Sequence, residues 1–138
     1  MDTNVWVYAH DSSTKAKHDR ARTLIERLWS SGEGVLSTRV LQELCVSLRR
    51  KTARPLSVEE TRRLIEDYSR WGVVVNTAES VLQVLTIESR YRISFWDAQI
   101  IQAAGSSGAT VLYSEDLTEG QTYGSVRVVN PLRGAGSA

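Results

Sequence analysis

The chain predicts an α/β fold with a parallel sheet and helices on both of its faces. Three observations predict it. Apolar residues recur at helical spacing over several long stretches, short β-branched runs stand between those stretches, and the two kinds of segment alternate along the chain. At 138 residues the chain has the size of one domain and can bury a core without disulfides or a structural metal.

Each element follows from local signals. Ala21, Leu24, Ile25, Leu28 and Trp29 share one helical stripe and predict a helix from about Lys15 to Ser30. Val35-Leu36-Ser37 reads as a brief strand. A second helix spans about Thr38 to Lys51, with Val40, Leu41, Leu44, Cys45 and Leu48 along its apolar stripe. Pro55 breaks the chain, and Ser57 with Glu60 forms a capping box that opens a third helix, about Val58 to Trp71. Gly72 ends that helix before the strand Val73-Val74-Val75. A fourth helix runs from about Ala78 to Arg90. Ser94 with Asp97 suggests another capping box, opening a fifth helix to about Ser106 that Gly105 and Gly108 close. Thr110 to Tyr113 and Val126 to Val129 are the last two strands, and Pro131 follows. The domain is expected to occupy residues 1–132, and the Gly/Ser-rich end, 133–138, to be a disordered tail.

Composition narrows the function. The net charge of +1 excludes a broad non-specific duplex-binding surface, though local clusters at Arg49, Arg50, Lys51, Arg54 and at Arg62, Arg63 leave room for short RNA contacts. One cysteine, Cys45, forbids an internal disulfide; its apolar neighbours predict a buried thiol and a reducing, cytoplasmic setting. No apolar run reaches membrane-spanning length, and the N-terminus lacks a signal-peptide pattern.

In open α/β sheets, ligands bind beyond the carboxyl ends of the strands. Four acids stand near such boundaries. Asp2 precedes the apolar run Val5-Trp6-Val7-Tyr8, Glu43 lies one turn into the second helix, Asp97 lies in the first turn of the fifth, and Asp116 follows the strand ending at Tyr113. Singly, each has an ordinary explanation: a cap, an exposed helix residue, half of a capping box, a turn. If the four converge, their carboxylates repel unless a cation sits among them. Hard oxygen ligands select Mg²⁺ or Mn²⁺, ions that activate water and stabilise charge on a phosphoryl group. His10 and His18 offer a metal-free acid–base pair, but their polar neighbours predict exposed side chains. There is no Cys/His metal spacing, no phosphate-binding glycine loop and no G-x-S-x-G. Of the four tryptophans, only Trp96, beside Asp97, is placed to face a pocket.

The same residues resemble a known family. Asp2-Thr3-Asn4-Val5 resembles the opening motif of PIN domains, and Ser94-Phe95-Trp96-Asp97-Ala98 their third acidic motif. Ser114-Glu115-Asp116-Leu117, then Gly120-Gln121 and Val126 to Pro131, is similar to the ending of VapC-type toxins; Glu43 resembles the second acid. The resemblance spans about Met1 to Pro131. It implies a three-layer α/β/α PIN fold with a central parallel sheet, and a Mg²⁺- or Mn²⁺-dependent endoribonuclease acting as toxin of a type II toxin–antitoxin pair. It further implies a homodimer and a cognate antitoxin that blocks the site. Asp2, Glu43, Asp97 and Asp116 match its catalytic and metal-binding acids, and Asn4 and Ser114 its polar support positions. Glu115 stands in reserve, since neighbours on an extended segment point opposite ways. The alternative is a PIN fold that binds RNA or protein without cutting. Haloacid-dehalogenase-type phosphatases also begin on an aspartate, but they need a second one where this chain has Asn4.

One departure accompanies the match. PIN domains usually carry an apolar strand before the first aspartate, and here only Met1 precedes Asp2, so that strand is nearly absent or upstream codons are missing. A charged Met1 amine beside the acids is then expected to weaken metal binding.

Overall fold

A computed structural model describes residues 1–50, 52 and 54–132. Lys51 and the expected tail at 133–138 lie outside the described residues.

The chain enters on an element absent from the expectations above, helix α1 (Thr3–His10). Its apolar run is too short for periodicity to declare a helix. Burial shows the logic: Val5, Trp6 and Ala9 fall on one helical face and are buried, while Asn4 faces solvent. Asp11 accepts the Ser13 N–H and opens a single 3-10 turn, Ser12–Thr14. Helix α2 (Ala16–Ser31) follows and ends at Gly32, whose left-handed backbone returns its N–H to the Leu28 carbonyl.

Strand β1 (Val35–Ser37) runs directly into α3 (Thr38–Arg50), with the Ser37 hydroxyl accepting the Val40 N–H. The capping box at Ser57 and Glu60 opens α4 (Val58–Tyr68) as expected. That helix stops three residues short of Trp71, whose ring instead packs against Trp6 at 4.9 Å. Trp71 also lies over Gly34, where a Cβ would come within 2.2 Å of the indole. Strand β2 (Gly72–Val74) pairs parallel to β1, Leu36 opposite Val73. Helices α5 (Ala78–Tyr91) and α6 (Phe95–Ser106) form the next layer. Strand β3 (Val111–Tyr113) pairs parallel to β5 (Val126–Val129). A two-residue strand, β4 (Thr122–Tyr123), joins β5 antiparallel through a turn at Gly124; two residues carry no readable pattern.

Six α-helices among the described residues and parallel strand pairs make the three-layer α/β/α arrangement. The sheet comes in two pieces, β1-β2 and β3-β5-β4. Between them lies a cavity of about 550 Å³ whose lining includes Met1, Leu36, Val74 and Leu112. Met1 lies against this cavity, and Asp2 is extended and gives its N–H to the Tyr113 carbonyl at 2.9 Å. Each side has its own core. One gathers Val5, Trp6, Leu24, Leu36, Leu44, Leu48 and Tyr68; the other gathers Ile101, Leu112, Leu117, Tyr123, Val126 and Val128. Among the described residues, no helix is long and apolar enough to cross a membrane.

Candidate functional site

The chain leaves β3 into a turn whose first residue, Ser114, is completely buried. A buried hydroxyl needs partners, and this one has three. It donates to Asp2 Oδ2 at 3.0 Å and accepts the N–H groups of Asp116 and Leu117, each at 3.3 Å. One side chain thus shapes the turn that presents Asp116 and holds the carboxylate of Asp2, 112 residues away in sequence. Asp2 occupies the N-cap position of α1 but makes no capping bond with its side chain; its carboxylate is directed to Ser114 instead. Asn4, on the first turn of α1, donates to Asp116 Oδ2 at 2.9 Å.

Glu43 approaches from α3. Its Oε1 accepts from Thr3 Oγ1 and from Arg39 Nε, both at 3.2 Å. Thr3 is the residue after Asp2, so this bond ties α3 to the start of α1. Asp97 stands on α6, its N–H capped by Ser94 Oγ at 3.1 Å. The reciprocal bond of a capping box is not made. The fold therefore joins Asp2, Asp116, Asn4 and Ser114 in one network and links Glu43 to it through Thr3. It does not bring Asp97 into hydrogen-bond contact with them, and no three acid, His or Cys side chains among the described residues are arranged to hold one metal ion.

Electrostatics single out Asp2, which is only 9% exposed. Burial pushes its carboxyl above the usual range and the nearby Asp116 charge adds to this, while the Ser114 hydrogen bond opposes it. Burial also pulls the Met1 amine down to about 6. Burial thus favours the uncharged amine, which weakens the repulsion expected of a charged terminus.

Other expectations are corrected. His10 and His18 are half-buried rather than exposed: His10 Nε2 meets the Tyr68 hydroxyl at 2.6 Å, and His18 Nδ1 the Tyr8 carbonyl at 2.9 Å. Burial pulls His10 down to about 4, helped by the charges of His18 and Arg22. Cys45 is free and half-buried rather than buried. Trp29 is partly exposed, while Trp6 is the fully buried indole. Glu115 turns away from Asp116 and binds the Tyr8 hydroxyl at 2.9 Å and Lys17 Nζ at 2.7 Å. Thr3 and Arg39 were missed as site residues. Arg39 was discoverable, because it precedes Glu43 by four residues on one helix; nothing local announced Thr3.

A family model for the PIN domain matches residues 1–118, and the chain belongs to the PIN domain family. PIN domains are generally nucleases that hydrolyse phosphodiester bonds and generally use divalent metal ions. The match takes in all four acids and ends before β4 and β5. No curated protein matches the chain.

Proposed function

We propose that this chain is a Mg²⁺- or Mn²⁺-dependent endoribonuclease of the cytoplasm, the VapC-type toxin of a type II toxin–antitoxin pair. The observation that carries the proposal is the Ser114 hydroxyl holding Asp2 beside Asp116 at the carboxyl end of β3, within a PIN fold. The donor set fits a hard divalent cation. It consists of carboxylate oxygens, and the Asp116 charge adds to the cost of ionising Asp2, a conflict that a cation relieves.

Asp2 and Asp116 would hold the ion, and Glu43 and Asp97 would have to draw in from α3 and α6 to complete the set. The ion would supply an activated water and offset charge on the phosphoryl group. The protein's part is positioning: Ser114 and Asn4 aim the two carboxylates, and Thr3 with Arg39 orients Glu43. Attack of water on the phosphodiester leaves a 5′-phosphate and a 3′-hydroxyl. A homodimer is part of the proposal, supported by the exposed apolar residues Val81, Leu82 and Leu85 on α5, Leu82 being 65% exposed; sedimentation of the wild-type chain as a monomer would sink it. An antitoxin segment covering the acids is the second expected partner.

Cleavage of total RNA with Mn²⁺, abolished by EDTA and leaving 5′-phosphate ends, is the expected result. Full activity in EDTA rejects the metal mechanism. A second reading, an RNA- or protein-binding module without activity, is favoured because no three acid, His or Cys side chains among the described residues are arranged to hold one ion. Calorimetric titration separates the two: no Mn²⁺ binding at millimolar metal selects the module.

A further inference from the structure

Trp96 is 53% exposed, on the first turn of α6 and next to Asp97. A single exposed aromatic is ordinary on a protein surface. This one is held in place. The Arg39 guanidinium carbon lies 3.8 Å from the ring centroid, and the Phe95 ring stands edge-on at 4.9 Å and 90°. Arg39 in turn is fixed by its Nε contact to Glu43 at 3.2 Å. A chain of contacts therefore runs from Thr3, beside Asp2, through Glu43 and Arg39 to an exposed indole on the helix that carries Asp97.

We infer that Trp96 and Arg39 form a nucleotide-docking platform at the rim of the acidic site, where an unpaired RNA base stacks on the indole and Arg39 meets the adjoining phosphate. Two properties of the pair lead there. Arg39 lies over the indole while Trp96 remains 53% exposed, which permits a guanidinium–indole–base stack. Arg39 commits Nε to Glu43, and a guanidinium has further N–H donors on a planar fork that suits phosphate oxygens. A base inside a duplex is already stacked on both faces, so the platform selects single-stranded segments and loops. Because Arg39 touches both Glu43 and Trp96, a docked nucleotide is held in register with the acids. The catalytic consequence rests on the nuclease proposal; the docking itself does not.

The test uses a single-stranded oligoribonucleotide carrying 2-aminopurine, whose fluorescence falls when the base stacks. With the full chain made inactive by Asp116→Asn, binding should quench the probe, and adding Trp96→Ala should abolish the quench while Trp96→Phe restores part of it. In the active chain, Trp96→Ala should raise KM by about 5- to 150-fold, the range spanned by base–aromatic stacking, with kcat much less changed. No quench with Asp116→Asn alone, an equal quench after Trp96→Ala, or an unchanged KM overturns the platform. A fall in kcat together with Tm also overturns it, since that marks a structural role. Quenching by a chain that never cleaves RNA keeps the platform and removes the nuclease; cleavage with an unchanged KM does the reverse.

Discussion

Asp2 and Asp116 flank one buried hydroxyl, whereas Glu43 and Asp97 stand on separate helices and share no hydrogen-bond partner among the described residues. The first pair is assembled by the fold. Ser114 holds it from the turn after β3 and Asn4 from the first turn of α1. The second pair stands half-buried on two helices: Glu43 is gripped by Thr3 and by Arg39, and Arg39 is itself stacked on an exposed indole. The contrast teaches a division of labour. One half of the acidic set is tied to a buried hydroxyl, with Asp2 buried and Asp116 exposed beside it; the other half is half-buried and bordered by groups that suit a nucleotide.

The largest effect should come from breaking either half outright. Asp2→Asn, Asp97→Asn and Asp116→Asn should each lower cleavage by more than the roughly 10- to 100-fold typical of losing an outer-sphere partner. Rates on one defined RNA check this. Near-normal activity in Asp97→Asn alone would mean that the two halves do not share one centre.

Ser114→Ala sharpens the comparison, because it removes the joint and leaves both carboxylates in place. Mn²⁺ affinity should fall about 10- to 100-fold. Two N–H groups and a buried carboxylate also lose their partner, so stability should fall by roughly 1–3 kcal/mol. Calorimetry and urea denaturation read the two effects separately. Loss of stability without loss of metal affinity would assign Ser114 to the turn alone.

A smaller effect should appear away from both halves. His10 is held down to about 4 by burial, against an ordinary value of 6.5. The unfolded chain therefore binds a proton in this range that the folded chain does not. His10 destabilises as pH falls from 6.5 towards 4, has no pH effect above that window, and levels off below it. Allowing for partial solvation, the loss is about 2 kcal/mol. In His10→Gln that acid slope should be missing, as read by Tm between pH 4 and 7. The raised Asp2 carboxyl acts in the opposite sense, stabilising towards low pH, and comparing wild type with His10→Gln cancels it. A slope shared by both proteins would place its origin elsewhere.

The long periodic helices, the capping box at Ser57 and Glu60, and the placing of Asp116 just after a strand were all legible, because each depends on neighbours within one turn or one strand. Helix α1 was not. Four apolar residues in a row suit strand and helix alike, and only packing of Val5, Trp6 and Ala9 into the core decides between them. The burial of His10 was hidden for a related reason: its partner, Tyr68, is 58 residues away, while its sequence neighbours are polar. The capping-box pattern at Ser94 and Asp97 was half right. The serine caps the helix, and the aspartate does not reciprocate.

By itself, then, the sequence determined the α/β class, the order of most elements and the identity of four acids worth examining, since residue type and spacing act locally. Only the tertiary structure decided that Ser114 joins Asp2 to Asp116 across 112 residues, that Glu43 reaches them through Thr3, and that Arg39 lies on Trp96. Those contacts exist because distant segments close two cores, and no local pattern encodes which side chains meet when they do.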